Sequence, residues 1–410
     1  MREEINCSLA AKKSAAKSGS AQQRSAKLRF GRGNEAACYS ELRSLGQFGD
    51  CPTYLRRATL VFFLFILVIF PLVAREIFPV PQLPFEPLNY VCHRAGGSIV
   101  TDGKLEESDW QAAEWTADFV DIEGALKPAP GLQTRVKLLW NEKGLYVAAE
   151  LQEPQIWATL KERDAVIFQD NDFEVFIDPD GDTHDYYELE LNALGTLWDL
   201  LLIKPYRDRQ QVAVNAWDIK NIEYGIDIAG TLNDPSDQDK QWTLEMLLPW
   251  KVLEECAHKQ IPPPEGDYWR VNFSRVEWET EAVDGKYVKT PGKPESNWVW
   301  SPQGLVAMHY PERWGYVLFT QQLAGDKTEF TPPALETAKE YLRQLYYRQK
   351  QYYYEHDHYA KNLRQLQSTA CNWQGKKLKP LIESTSAGYV ITLSCPNCAT
   401  LHIREDGLTW

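Results

Sequence analysis

The sequence predicts an all-β protein: an antiparallel β-sandwich followed by one long C-terminal helix and a small terminal hairpin. Three observations predict it. Between about residues 95 and 320, short apolar segments with period-two alternation recur between turn residues. Beyond about residue 332 the apolar period changes to three and four. All fifteen tryptophans lie after residue 100, which places the core late in the chain.

Residues 1–54 contain AKKSAAKSGSAQQRSAK, small and basic with no periodic apolar face. They read as a disordered basic leader, or as sequence ahead of a start codon placed too early. Residues 55–74 follow, in which Arg56 and Arg57 precede 17 uncharged, mostly apolar residues, Ala58 to Ala74. That is the pattern of a signal peptide cleaved after Leu72-Val73-Ala74, or of a signal anchor at the short limit for spanning a bilayer. Either reading exports the rest of the chain to the periplasm, the outer surface or the medium. Membrane contact is then expected only through residues 58–74, where they stay uncleaved. Residues 75–92 form a proline-rich approach segment, with EIFPVPQLPFEPLNY at 76–90.

The formal charge of −13 is uneven. Residues 1–74 carry eleven Lys or Arg against five acids, which leaves −19 for residues 75–410. An acidic body excludes a nucleic-acid backbone as partner, because basic groups supply most of that affinity. Five cysteines fall in the exported part, Cys92, Cys256, Cys371, Cys395 and Cys398. An odd number is no disulfide framework, and Cys395-Pro-Asn-Cys398 reads as a hairpin turn rather than as half of a zinc site.

In the sandwich region, TRVKLLW (134–140) and LYVAAEL (145–151) flank Asn141-Glu142-Lys143-Gly144, a hairpin turn. FEVFID, YYELELN, LWDLLL, YGIDIAG, WTLEMLLPW, WRVNFSRVEW and GYVLFT follow at spacings suited to antiparallel sheets. Short helical turns are expected only at Glu106–Ala113 and Trp250–Glu255. From 332 to 368, Leu335, Ala338, Leu342, Leu345, Tyr352, His356, Tyr359, Leu363 and Leu366 predict an amphipathic helix of about 30 residues. Its stripe either docks on the sandwich or associates with a second copy through 335–367. Residues 380–410, with GYVITLSCPNCATLHIREDG, read as the C-terminal β-hairpin.

The chemistry concentrates in DNDFEVFIDPDGDTHDYYELELN, residues 170–192. Alternation places Phe173, Val175, Ile177, Tyr187, Leu189 and Leu191 on one side. Glu174, Glu188, Glu190 and Asn192 fall on the other, which is read as a solvated face. Asp178-Pro-Asp180-Gly-Asp182 resembles the start of a calcium loop, although a helix-loop-helix site fails because its twelfth position is Leu189. A turn capped by its own side chains is the competing reading.

TDGKLEESDW (101–110), KLLWNEKGLYVAAEL (137–151), DNDFEVFIDPDGD (170–182), WTLEMLLPW (242–250), NFSRVEW (272–278) and WGYVLF (314–319) occur in this order. Together they resemble the family 9 carbohydrate-binding modules, and more closely the family 9-like exported proteins of bacteria, over about residues 93–320. The resemblance implies a jelly-roll-like sandwich, structural calcium, no organic cofactor, and an oligo- or polysaccharide held between aromatic rings. By position, Phe168 falls where a stacking tryptophan is expected, Asn171 and Glu174 on the polar positions beside it, and Asn192 on another. Glu190 stands where an arginine is expected. The second clamp ring maps near Met308-His309-Tyr310. The expected carbohydrate site is therefore Phe168, Asn171, Glu174, Glu190 and Asn192, with Trp217, His309 and Tyr310 as walls, and the expected metal ligands are Asp178, Asp180 and Asp182. Trp157, Trp198, Trp217 and Trp300 are further candidate rings. Trp140, Trp242, Trp250 and Trp269 are expected in the core.

The leading function is non-catalytic glycan binding. The alternatives are a glycan hydrolase using Glu174, Glu190 or Asp172, and a cell-surface scaffold that oligomerises through its helix. No Gly-x-Ser-x-Gly and no His-Glu-x-x-His occurs. Met308 and His309 suggest haem ligation, but adjacent residues cannot be opposing axial ligands.

Overall fold

The first strand, β1 (Asn89–Arg94), already departs from an all-antiparallel plan. It lies between two partners and runs parallel to both, β3 (Thr134–Trp140) and β15 (Gly315–Leu323). The structure is a computed structural model and describes residues 78–208, 212–396 and 399–410. The leader, the signal or anchor segment and Cys398 lie outside the described residues. Among the described residues no helix is long and apolar enough to cross a membrane.

Between these strands come β2 (Val120–Asp121), β4 (Gly144–Gln152), β5 (Asp172–Asp178), β6 (Tyr186–Asn192), β7 (Leu197–Leu202) and β8 (Ala213–Val214). Then follow β9 (Glu223–Ala229), β10 (Gln241–Pro249), β11 (Tyr268–Glu277), the hairpin β12 (Thr280–Val283) and β13 (Lys286–Lys289), and β14 (Ser296–Val299). The hydrogen-bonded order is β8-β7-β6-β5-β11-β15-β1-β3-β4-β10-β9, with β14 beside β11 and β2 beside β14. This path folds over on itself. Val136 and Leu138 of β3, Val147 of β4 and Leu244 of β10 meet Phe173 and Val175 of β5, Leu189 of β6 and Phe273 of β11 in one buried cluster. That is a β-sandwich, antiparallel except at β1.

The β3–β4 hairpin shows the local logic. Asn141 Oδ1 accepts the Lys143 N–H at 2.8 Å, closing the turn. A Cβ on Gly144 would come within 2.1 Å of the Leu248 carbonyl, so only glycine lets β10 approach there. Trp140, Trp242, Trp250 and Trp269 are all buried in the core cluster. The two short helices sit as expected, α1 at Ser108–Ala112 and α2 at Trp250–Leu253.

The long helix α3 spans Glu336–His356, shorter than the expected 30 residues. It stops because Asp357 adopts a left-handed conformation (φ 58°) and returns its N–H to the Tyr353 carbonyl. Tyr359 and Leu366 extend the apolar period beyond this stop, and both stay buried in the segment that follows. The C-terminal piece is larger than a hairpin: β16 (Cys371–Trp373) pairs β17 (Lys376–Leu378), and β18 (Leu381–Ser384), β19 (Tyr389–Leu393) and β20 (Leu401–Arg404) form a three-stranded sheet.

Helix α3 is docked, not displayed. Ala338, Leu342, Leu345, Tyr346 and Tyr347 pack with Ile391, Leu401, Ile403 and Phe78. On the sandwich side, Glu336 accepts from Arg270 Nη2 at 2.9 Å, from Tyr316 Oη at 2.6 Å and from Arg343 Nη1 at 3.3 Å. Arg207 forks onto Glu312 at 2.7 and 3.1 Å, and Tyr347 Oη donates to the same carboxylate at 2.6 Å. The stripe expected to support self-association through 335–367 is thus spent inside the chain.

Candidate functional site

Strands β5 and β6 carry the alternation read from the sequence, with Phe173, Val175, Ile177, Tyr187, Leu189 and Leu191 in the core. The opposite face is not solvated. Asp172, Glu174, Asp178, Glu188, Glu190 and Asn192 are all buried. Two lids explain the correction. At one end, Ile122, Met308 and Trp314 pack on Phe176, Tyr186, Leu200 and Leu202, with the Trp314 ring 5.5 Å from Phe176 and 5.2 Å from Tyr186. At the other, the turn Ile167–Gln169 folds over the strands, and Phe168 N–H donates to Glu190 Oε2 at 3.0 Å. Met308 is an apolar lid residue there, which gives the haem suggestion no exposed ligand pair.

The register sets acids against acids. Across β7, β6, β5 and β11 one row reads Trp198, Glu190, Glu174, Ser274, and the next Leu200, Glu188, Phe176, Asn272. Like charges directly opposite one another repel. Burial and the neighbouring carboxylates accordingly push the Asp172, Glu188 and Glu190 carboxyls well above the usual range. Oxygens of Asp172, Glu174 and Glu190 lie within 4.8 Å of one another.

The expected sugar contacts fare unequally. Phe168 is half-buried at the rim, and its carbonyl accepts Trp278 Nε1 at 2.9 Å. Asn171 is buried, its Oδ1 holding Trp278 N–H at 2.8 Å, so it fastens β5 to β11. Asn192 is fully used: Nδ2 donates to Leu160 O and Asp170 Oδ2, while Oδ1 accepts from Leu194 N and Thr196 N. It has no hydrogen-bonding capacity left for a sugar hydroxyl. Trp217 packs on the core side, 5.1 Å from the Tyr187 ring, with Nε1 on Glu255. It cannot wall the acidic face.

Tyr310 is buried among the residues around α3, under the Arg207 guanidinium at 4.4 Å and with its hydroxyl on Pro79 O. His309 does reach the face, 2.9 Å from Tyr186 Oη and 3.8 Å from Glu188. Burial, then the charge of Arg207, lowers its pKa to about 3, so it is neutral and no counter-ion for Glu188. Of the further rings, Trp157 and Trp300 are buried, while Trp198 is half-buried opposite Glu190.

Trp278 is the residue the sequence reading passed over. It lies within NFSRVEW but just past the alternating part, where β11 ends at Glu277. Its half-buried ring lines a cleft of about 470 Å³ with Glu277, Thr280, Gln155, Lys293 and Glu295. Lys289 Nζ sits over this ring at 3.4 Å. Arg275 and Glu277 form an ion pair at 2.8 Å, and Arg275 also holds Glu153 at 2.7 Å.

The aspartate loop is a capped turn that draws three carboxylates together. Asp178 accepts from Gly181 N and Thr183 N, each at 2.9 Å, and Asp182 from His184 N at 2.7 Å. One oxygen of each of Asp178, Asp180 and Asp182 still lies within 4.8 Å of the others. Burial and mutual repulsion push the three to about 7, 6 and 7 respectively. Residues 407–409 pack against this loop. Thr183 Oγ1 donates to Gly407 O at 3.1 Å, and Thr409 N–H donates to Asp182 O at 3.1 Å.

The fold defines the class as a β-sandwich module with an appended helix and small sheet. Residues 100–261 match the family model described as carbohydrate family 9 binding domain-like. Among solved structures, the chain is similar to a protein from Bacteroides uniformis ATCC 8492 described as a putative carbohydrate-binding protein. That likeness has 15% identity and TM-score 0.43, covering 57% of this chain and 100% of that one. It is also similar to a family 9 carbohydrate-binding module from Caldicellulosiruptor kristjanssonii in complex with cellotriose (15% identity, TM-score 0.37, 59% and 100% covered). The same organism's module in complex with glucose gives 15%, 0.37, 60% and 100%. No curated protein matches the chain.

Proposed function

We propose that this protein binds an oligo- or polysaccharide without turning it over, at the rim where Phe168 and Trp278 meet the acidic face. The family match over residues 100–261 is the observation that carries this reading. Sugar recognition needs flat apolar surface for C–H faces beside fixed acceptors for hydroxyls. Phe168, Trp198 and Trp278 supply half-buried rings; Trp198 stands opposite Glu190, whose carboxylate also takes the Phe168 N–H. The site is narrower than the eight residues expected, because Asn171, Asn192, Trp217 and Tyr310 serve the scaffold.

Calcium at Asp178, Asp180 and Asp182 belongs to the same reading. The donors are hard oxygens at suitable separation, and the ion would neutralise acids that now raise one another. Export through residues 55–74, cleaved or retained as an anchor, places the module outside the cytosol, where glycans and calcium are met. N-terminal sequencing of the native protein tests export.

The binding experiment is a glycan array followed by titration of tryptophan fluorescence, with cellotriose and glucose among the probes. Saturable binding without loss of the glycan supports the proposal. Turnover, or no binding to any glycan, refutes it.

A further inference from the structure

We propose that His356 and His358, where α3 stops, bind a divalent transition-metal ion of the zinc and copper class through two imidazole nitrogens, with water completing its shell. The proposal rests neither on the glycan reading nor on the aspartate loop. The apolar period of the sequence includes His356, yet its side chain is exposed, and so is that of His358. Between them Asp357 is left-handed (φ 58°), so the chain turns back at this point. Both imidazoles settle against the ring of Tyr352. The His356 ring stacks on it at 4.0 Å with an interplanar angle of 9°, and the His358 ring meets it edge-on at 5.5 Å. Tyr352 is itself held, its hydroxyl accepting from Gln365 Nε2 at 3.1 Å. The two imidazole rings stand 6.0 Å apart.

The hydrogen bonds decide which nitrogen is offered. His356 Nδ1 lies 3.0 Å from the Tyr352 carbonyl oxygen, and His358 Nδ1 lies 2.8 Å from the His356 carbonyl oxygen. A carbonyl only accepts, so both Nδ1 atoms carry a proton, and in the neutral ring the lone pair is left on Nε2. Metal-binding histidines hold their other ring N–H in this way, on a backbone carbonyl or a carboxylate, which fixes the tautomer and raises the basicity of the ligand nitrogen. Two neighbouring histidines meet that condition together here. The carbonyls of the last helical turn also favour a positive charge beside them. Zinc takes imidazole nitrogen at 2.0–2.1 Å, so the centres of two rings on one ion stand roughly 5–6 Å apart, close to the spacing observed. Imidazole suits zinc, copper and nickel, whereas calcium and magnesium favour oxygen ligands.

The test uses the untagged full chain, stripped with chelator and titrated calorimetrically with zinc alone, then with calcium alone. Five proteins are compared: wild type, His356→Asn, His358→Asn, His402→Asn as a histidine elsewhere, and Asp180→Asn in the aspartate loop. Both substituted histidines are exposed at a helix end, and circular dichroism checks that each variant keeps its fold. The expected result is one zinc site that His356→Asn and His358→Asn each weaken by at least tenfold, while His402→Asn and Asp180→Asn leave it unchanged. Calcium should not compete for it. Copper(II) loaded at one equivalent should give an electron paramagnetic resonance spectrum split by two imidazole nitrogens, and by one in either variant. Zinc uptake unchanged in both His356→Asn and His358→Asn, displacement of zinc by calcium, or a copper signal without imidazole nitrogen would each overturn the site. Failure of every glycan to bind while zinc still binds would sink the glycan reading and not this one.

Discussion

The molecule buries charge in two regions, and it does so in opposite ways. At the seam between α3 and the sandwich, each buried acid has an arginine: Glu336 has Arg270 and Arg343, and Glu312 has Arg207. On the acidic face, Glu174 and Glu190 stand directly opposed, with Asp172 in the neighbouring row. The seam is complete as encoded, so its charges serve to fix how the helix sits. The face sets its acids side by side, where burial and the neighbouring carboxylates raise Asp172, Glu188 and Glu190 together.

The contrast can be broken most strongly at the seam. Glu336→Ala leaves Arg270 and Arg343 buried without their partner, and should cost about 3–5 kcal/mol in urea denaturation. A loss under about 1 kcal/mol would mean that the helix does not depend on this contact. Phe78→Ala probes the apolar part of the same region, where the ring is 5.8 Å from Tyr346, and should cost about 3 kcal/mol. An unchanged midpoint would show that the approach segment is not part of the folded unit.

The glycan rim comes next. Phe168→Ala should lower glycan affinity about tenfold, or about 1.4 kcal/mol, in the fluorescence titration. Unchanged affinity in a folded variant would move the ligand to the cleft beside Trp278. On the acidic face the expected sign reverses. In chelator, Glu190→Gln removes a like-charge pair and should stabilise the protein by up to about 1 kcal/mol.

The pH dependence separates the two regions again. Arg270 and Arg343 hold the Glu336 carboxyl well below its usual range despite burial. Its stabilisation is present above an unfolded carboxylate pKa of about 4.3 and is lost as pH falls below that value. The face acids are raised, so in chelator their contribution runs the other way and stability falls as pH climbs above about 4. Urea midpoints from pH 3 to 8, as a rough range for Glu336→Gln and Glu190→Gln, should show each variant flattening one limb only.

The alternation of YYELELN made two faces legible, and the tryptophan-rich strands made the sandwich legible. What alternation cannot say is whether the second face is covered. Ile122 and Trp314 reach it from positions 54 or more residues before Phe176 and 138 after it, so no local pattern announces them. Asn192 was misread for a related reason. Its type and position suit a sugar, but its own turn, through Leu194 and Thr196, already consumes the side chain. Helix α3 was overextended because Tyr359 and Leu366 keep the period after the backbone has turned at Asp357. Trp217 fell on the wrong side because its loop crosses to the core at Tyr187.

The contact of Gly407 with Thr183 bears on the order in which the protein can be completed. These residues are 224 positions apart, and Tyr310 meets Pro79 across 231. A chain made or threaded from its N-terminus has the aspartate loop long before it has the residues that hold it. Such distant closures are slow to form and leave partly assembled intermediates exposed. The aspartate loop therefore reaches its finished state only once residues 407–409 have arrived, and a cut between the sheet and these residues would release it.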